Sequence, residues 1–321
     1  MKQTTFAGLA YDAKKKRTRR EQFLTEMDGV IPWTRLLALI EPHYPIVGQG
    51  RRPLGCERML RIYFMQQWFN LCDPSAEDAL YDSESMRRFA GIELGEDAMP
   101  DESSMLRFRH LLERFGLTER LFAEVRVLLD ERRLLLKAGT IVDATIINAP
   151  PSTKNAKHSH DPEMRQTKKG NQWYFGMKLH IGADTRGSVH SLTGTDAAHA
   201  DINQLPALLH GDETALYGDR AYWSEDHRQC AKQAGVHYRV NRRAKPQQPL
   251  TAHQKTVNRS RSKVRASVEH AFHVVKHLWG HGKVRYRGLA KNLAQAFTLF
   301  ALANLYRLRR RLTPPPHRCA C

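Results

Sequence analysis

The spacing of apolar residues changes near Leu136, and this change limits the folds open to the chain more than any other feature. Before it, apolar side chains recur at helical spacing, as in the stripe that contains Met59, Ile62 and Met65. After it, the run GTIVDATII is rich in β-branched residues, and residues 173–182 alternate strictly, with every second side chain large and apolar. The sequence therefore predicts a helical region followed by a region built on a sheet.

The order of predicted elements defines the fold class and the segments. After three strands come a helix, a strand, a helix, a strand and a long helix over about 262–279, which together indicate an antiparallel meander followed by crossover helices. We expect a mixed α/β sheet rather than a doubly wound one. The predicted segments are a basic flexible arm over 1–30, a helical domain over 31–136, a sheet domain over 137–312 and a tail over 313–321.

The charge balance predicts a polyanionic partner. The chain carries 51 Lys and Arg against 33 Asp and Glu, a net charge of +18, and basic residues are concentrated between Lys14 and Arg20. Such a surplus is typical of nucleic-acid binding, although a ribosomal-type protein or a merely basic surface is also compatible with it. Five widely spaced cysteines indicate reduced thiols in a cytosolic protein. The longest apolar stretch, 293–306, is too short and polar to span a membrane, so we expect a cytoplasmic protein.

Three acidic residues have unusual sequence settings. Asp143 lies inside an apolar strand, where an unpaired carboxylate is costly to bury, and Asp219 follows another strand. Glu269 lies in the late helix, on one predicted stripe with Arg265 and Lys276. The structural alternatives are a salt bridge for Asp143, a turn for Asp219 and a surface ion pair between Arg265 and Glu269.

The type of these side chains predicts the metal. A set of three carboxylates without Cys or regularly spaced His favours two Mg²⁺ or Mn²⁺ ions over zinc. The HSHD segment at 158–161 and the HRCAC tail at 317–321 are the alternative metal sites, and other carboxylates (Asp184, Asp196, Asp201) are expected in turns or caps.

Long segments of the chain resemble the DDE transposases of bacterial insertion sequences, most closely the insertion-sequence-five group. The matching segments are GRRPLGCERMLRIYFMQQWFNLCDPSAEDALYDSESMRRFAG, ESSMLRFRHLLE, IVDATIINAPPSTKN, HDPEMRQTKKGNQWYFGMKLHIGAD, YGDRAY and RASVEHAFHVVK. The resemblance implies an RNase H-like catalytic domain behind a helical DNA-binding domain, with Asp143, Asp219 and Glu269 as catalytic residues. Arg265 and Lys276 match the R-x3-E-x6-K signature of the family, whereas Ser262 occupies the position where its Tyr is expected.

These observations lead to the hypothesis of a metal-dependent DNA transposase. Asp143, Asp219 and Glu269 would hold two Mg²⁺ or Mn²⁺ ions, and a set of cations is expected to contact phosphates (Arg265, Lys276, Lys168, Lys169, Lys178). The expected partners are double-stranded DNA, as terminal inverted repeats and target, and a second copy of the chain in a homodimer on DNA, with no membrane. We expect a bacterial, nucleoid-associated protein. The alternatives are a DNA-binding repressor or catalytically dead copy, and a metal-dependent nuclease without strand transfer.

Two further expectations concern DNA contacts. Arg107 and Arg109, with Ser103 and His110, could face a groove if the middle helices form a helix-turn-helix, although this signal is weak and plain structural helices are favoured. Trp173 is expected in the core, with contact to DNA as the alternative.

Overall fold

The computed structural model describes residues 11, 13–45, 53–153, 159–244 and 247–313. In its first part the chain is helical, as predicted. The helices are α1 (Arg19–Asp28), α2 (Trp33–Ile40), α3 (Cys56–Phe69), α4 (Asp73–Asp82), α5 (Glu84–Ala90), α6 (Glu102–Arg114) and α7 (Leu117–Glu131), with a 3₁₀ turn at Glu41–His43.

Helix α1 corrects the prediction of a flexible basic arm over 1–30. Thr18 and Glu21 form a reciprocal capping box at the helix start, and Leu24 and Met27 are buried. Residues 18–28 are therefore not part of a flexible arm, because a capped helix with an apolar face docks on its neighbours. The HSHD alternative (His158) and the HRCAC tail fall partly or wholly outside the described residues.

The central helix of this first part is α3, which is buried nearly all round. Met59, Ile62, Met65 and Trp68 are each at most 3% exposed. The predicted apolar stripe is thus part of a fully enclosed helix. Helix α7 begins at Leu117 after Gly116, and Thr118 is a buried residue of its first turn.

The sheet contains six strands: β1 (Gly139–Asn148), β2 (Arg165–Lys169), β3 (Gln172–Asp184), β4 (Val189–Asp196), β5 (Ala215–Gly218) and β6 (His237–Val240). Strand β3 is antiparallel to β1, β2 and β4, whereas β5 is parallel to both β1 and β6. This mixed sheet, an antiparallel meander extended by two parallel strands, confirms the RNase H-like fold class.

The short strand β2 was missed, since only three strands were predicted before the first crossover helix and the structure has four. Its residues are polar and mostly exposed, so they carry no apolar period that could distinguish a strand from a loop. Strand β2 forms a hairpin with the outer part of β3, which extends beyond the residues of β3 that pair with β1.

The two faces of the sheet pack differently. On one face, Val142 and Val240 join a small cluster with Leu205, Leu208 and Tyr222. These residues come from helix α8 (Leu205–Leu208), from the 3₁₀ turn Arg220–Tyr222 and from the neighbouring strands, and helix α9 (Glu225–Gln233) follows that turn. The opposite face belongs to the main core, which also includes the first-part helices.

The late helical segment covers this opposite face and is not one continuous helix. It comprises α10 (Ala252–Arg265), a 3₁₀ turn (Ala266–Val268), α11 (Glu269–His273), a π-helical turn (Val274–Leu278) and α12 (Leu289–Leu312). Helix α10 begins well before the predicted start at 262, because Thr251 and Gln254 form a capping box that the sequence reading overlooked.

Helix α12 includes the predicted buried stretch 293–306 and joins the two parts of the molecule. Its Gln295 donates to Gln67 of α3 at 3.0 Å, and Thr298 lies 3.3 Å from the Tyr63 hydroxyl. Within the described residues, no helix is both long enough and apolar enough to cross a membrane.

Candidate active site

Asp143 is a buried carboxylate on the sheet face covered by α10. Its residue is 8% exposed, its Oδ2 accepts from Arg265 Nη1 at 3.0 Å, and its Oδ1 accepts from the Ala144 N–H at 2.9 Å. The salt bridge foreseen as the structural alternative therefore forms. However, a single, partly exposed guanidinium does not offset the cost of burying this carboxylate. Burial therefore raises the pKa of Asp143 to about 6.

Asp219 directly follows strand β5 and lies beside Asp143, which is in the middle of the neighbouring parallel strand β1. Ile141 of β1 is in register with Tyr217 of β5, so continuing the register by two residues places Asp143 opposite Asp219. Aligned residues of parallel strands point to the same face of the sheet. Asp219 also accepts from the Ala221 N–H at 2.8 Å, so the expected turn forms and leaves its second oxygen available.

Glu269 is the first residue of α11, directly after the 3₁₀ turn, and its side chain is exposed. Its negative charge raises the pKa of Asp143, as does that of Asp219, so the three carboxylates are within electrostatic range of one another. The surface pair between Arg265 and Glu269 is not among the ion pairs of the described chain, since Arg265 turns to Asp143 instead.

Lys276 completes the site on the β1 side. Its Nζ donates to Thr145 Oγ1 at 3.1 Å and to the Ile146 carbonyl at 3.0 Å. Burial lowers the pKa of Lys276, the charge of Lys169 lowers it further, and Glu269 raises it. Lys276 and Lys169 therefore lie together beside the carboxylates. Thr145 was not predicted as a site residue, although its position two residues after Asp143 places both on one face of the strand.

The other predicted cations have different fates. Lys168 and Lys169 are exposed on β2, and Lys168 Nζ lies 5.9 Å from the centre of the Trp173 ring. Lys178 is a correction: its ammonium pairs with Asp201 at 2.9 Å and donates to the His199 carbonyl at 2.7 Å, so it is not free for a phosphate.

Among the other polar residues named in the sequence analysis, some have their predicted roles and others do not. Asp201 is an ion-pair partner and not a helix cap, whereas Asp184 and Asp196 accept turn N–H groups as predicted. Arg109, which could have faced a groove in a helix-turn-helix, is half-buried and pairs with Asp73 at 2.9 Å. Distant ion pairs of this kind cannot be read from local sequence.

Trp173 was expected in the core and is instead 64% exposed. It lies on the part of β3 that pairs with β2 beyond the end of β1, so no second layer covers it. Leu278, a large apolar residue of the late helical segment, is likewise 52% exposed, because the π-helical turn rotates it away from the sheet.

The chemistry of these donors suits a hard divalent cation. Asp143 and Asp219 contribute only carboxylate oxygens, and a cation between them would compensate a buried charge that Arg265 leaves partly unbalanced. No cluster of three or more His, Cys, Asp or Glu side chains able to hold a metal occurs within the described ranges. A metal site that includes all three carboxylates would require the exposed Glu269 side chain to rotate toward the pair.

The raised pKa of Asp143 predicts a pH-dependent stability. Its folded value of about 6 lies above the ordinary value of 3.8, so the neutral form is favoured in the folded protein. The contribution of the Asp143 carboxyl to the free energy of unfolding is therefore fully present below about pH 4. It is lost as pH rises through about 6, a change of about 3 kcal/mol. In EDTA, the unfolding free energy of Asp143→Asn relative to that of the parent should therefore increase from pH 4 to pH 7.5, as measured by urea unfolding. Equal differences at both pH values would contradict the assigned pKa.

Comparison with known families gives two matches. The family model described as transposase DDE domain matches residues 135–305, just over half of the chain. The model described as transposase domain (DUF772) matches residues 11–111. The first range contains all three carboxylates, and the second lies in the helical part.

Among solved structures, the chain is similar to one described as the crystal structure of the Mos1 strand transfer complex. The two chains are 14% identical, with 84% of this chain and 80% of that chain covered and a TM-score of 0.27. A TM-score this low does not establish a shared arrangement in space.

Proposed function

As a member of the transposase DDE domain family, the chain is a metal-dependent DNA transposase, and we propose that Asp143, Asp219 and Glu269 form its catalytic centre. The observation that carries this proposal is the placement of Asp219, directly after the end of β5, beside Asp143 in the middle of the parallel strand β1. Buried carboxylates with perturbed pKa values are typical of functional sites. Glu269 supports the same centre, because its charge acts on Asp143 from the helical layer.

We propose that the three carboxylates bind two Mg²⁺ or Mn²⁺ ions. Such ions supply charge stabilisation at the scissile phosphate and lower the pKa of the attacking water. The chain's own task is to hold three acidic side chains in one place against mutual repulsion. Strand register fixes Asp143 beside Asp219, and Arg265 compensates the buried charge of Asp143 while the site is free of metal.

Cations around the carboxylates are proposed to position the DNA. Arg265 presents a planar guanidinium that suits bidentate contact with a phosphate, and Lys276 presents a point charge next to β1. Lys168 and Lys169 extend this positive surface along β2, where exposed Trp173 adds an aromatic face. The β2–β3 hairpin is thus a DNA contact on the β1 side of the site.

Finer aspects of the function are also proposals. The spacing of Arg265, Glu269 and Lys276 supports membership of the insertion-sequence-five group. The substrates would be the terminal inverted repeats and target DNA, with helices of the 31–136 domain contributing to end binding. Because both ends must meet in one complex, we propose a homodimer on DNA. Asn241 donates to Ser262 at 3.0 Å, so the residue at the family's Tyr position binds the chain itself.

Strand cleavage tests this function most simply. A labelled duplex that carries the element's ends is expected to be nicked at the end with Mg²⁺ and to remain intact in EDTA. Added target DNA should then receive the freed 3′-hydroxyl, which separates a transposase from a nuclease without strand transfer. Tight binding to the element's ends, with no cleavage in the presence of any divalent metal ion, would favour the repressor alternative and contradict the proposal.

A further inference from the structure

Three arginines gather where β6 ends, on the side of Asp219 away from Lys276. Arg239 belongs to β6, Arg242 follows it, and Arg261 lies on α10. Burial lowers the pKa of Arg261, and the charges of Arg242 and Arg239 lower it further. In the part of the chain that the structure describes, none of the three forms an ion pair with a carboxylate. Three positive charges are therefore held close together without a counter-charge.

The fold holds this arginine cluster (Arg239, Arg242 and Arg261) in place through neutral partners. Arg239 Nη1 donates to the Tyr217 hydroxyl at 3.0 Å, and Arg261 Nη1 donates to the Val240 carbonyl at 2.7 Å. The backbone of Arg242 exchanges two hydrogen bonds with the Asn258 side chain, at 3.1 and 3.2 Å. Neutral hydrogen bonds fix the guanidinium groups or their backbone without neutralising their charge.

The arginine cluster adjoins the proposed catalytic centre. Gly218 pairs with Val240, and the Asn241 N–H donates to the Gly218 carbonyl at 3.0 Å, so Asn241 lies beside Asp219 and Arg242 is the next residue. Arg261 precedes Arg265, which contacts Asp143, by one helical turn, a rise of about 6 Å. The cluster therefore lies next to Asp219 on the sheet, and its Arg261 shares helix α10 with Arg265, the partner of Asp143.

Like charges confined at a surface repel one another, and this repulsion is relieved when an anion binds. Guanidinium groups recognise phosphate oxygens through paired hydrogen bonds. A monovalent buffer anion could relieve the repulsion only transiently, whereas the cluster adjoins a site whose substrate is a polyanion. The ligand chemistry that fits best is a DNA backbone phosphate.

We propose that the arginine cluster binds neighbouring backbone phosphates of the DNA, one for each guanidinium, on the β6 side of the scissile bond. Lys169 and Lys276 would hold the backbone on the β1 side, so the DNA strand would cross the sheet edge over Asp143 and Asp219. This inference rests on the proposed catalytic centre for its placement, while the phosphate contact itself does not depend on catalysis.

The test measures binding to a duplex of unrelated sequence in EDTA, where no cleavage occurs. The slope of log Kd against log salt reports the number of neutralised phosphate charges, about 0.9 for each contact. The Arg239→Gln/Arg242→Gln/Arg261→Gln variant should lower this slope by about 2 to 3. The matched control is Arg228→Gln, because the Arg228 guanidinium pairs with Glu225 at 2.7 Å on the neighbouring helix α9. Its slope should stay at the parent value.

Because Arg261 contacts Val240, the triple variant could unfold, and the double variant of exposed Arg239 and Arg242 then gives the answer, with a slope lower by about 2. An unchanged slope in that folded double variant overturns the phosphate contact. A lowered slope with undiminished cleavage in Mg²⁺ overturns its placement beside the scissile bond. Failure of the catalytic proposal would look different. The slope would still be lower in the arginine variants, but the parent protein would not cleave DNA under any condition.

Discussion

Replacing Glu269 by Gln is expected to lower strand cleavage by about 10³-fold or more while leaving DNA binding intact. Several kcal/mol of transition-state stabilisation depend on a complete metal site, and each 1.36 kcal/mol corresponds to a factor of ten. The substitution keeps the size of the side chain. Since Glu269 is exposed and makes no hydrogen bond or ion pair recorded among the described residues, folding should be unaffected. Single-turnover cleavage of the end duplex in Mg²⁺ measures the effect.

The matched control is Glu119→Gln, another exposed helical glutamate, which lies in the first turn of α7. This variant should cleave at the parent rate. Glu269→Gln cleaving within about threefold of the parent would remove Glu269 from the catalytic centre. Weaker DNA binding by Glu269→Gln would instead point to a positioning role, because removing a negative charge beside DNA should maintain or strengthen binding.

The second large effect is expected at Gly187, in the turn between β3 and β4. Its φ is +82°, and a Cβ there would lie 2.2 Å from the Ser267 carbonyl oxygen, in the 3₁₀ turn that leads into Glu269. Ser267 also donates to the Thr185 carbonyl at 3.0 Å, so this turn holds the start of α11 against the sheet. Gly187→Ala should therefore lose about 2 to 5 kcal/mol of unfolding free energy, from backbone strain and overpacking together.

The control is Gly235→Ala, whose φ of +72° imposes similar strain but whose Cβ would meet no atom within 4 Å. It should lose only about 1 to 2 kcal/mol by urea unfolding. In addition, Gly187→Ala assayed at a temperature where it is folded should cleave more slowly, because the start of α11 has to move. Equal losses of stability in the two variants would show that the close approach to Ser267 does not matter.

Much of the fold could be predicted because apolar periodicity reports burial directly. The alternation in β3 identified its buried residues Met177, Leu179 and Ile181, and the β-branched run identified β1. Periodicity failed where burial on one face was missing, as in exposed β2 and at Trp173. It also failed where the helix changed pitch, because the assumed 100° per residue does not hold through a 3₁₀ turn and a π-helical turn.

For the candidate site, the sequence could identify individual residues but not the partners that they contact. A buried Asp in an apolar strand is costly, and that cost identified Asp143 from sequence alone. Its partner Arg265 and the internal pairing of Lys178 with Asp201 depend on contacts between distant segments. The arginine cluster was missed for the same reason, since Arg239 and Arg261 come together only when α10 packs across the ends of β5 and β6.

Whether Asp143, Asp219 and Glu269 bind metal is tested by the position of Mn²⁺ in crystals, located by its anomalous scattering. We expect a peak within about 2.2 Å of carboxylate oxygens of both Asp143 and Asp219, with Arg265 released from Asp143 and Glu269 turned inward. The competing position is the stacked pair His273 and His277, whose ring centres are 5.4 Å apart on the same helical segment. Mn²⁺ bound there, with none between the two aspartates, would contradict the assignment of Asp143, Asp219 and Glu269 as the metal-binding catalytic centre.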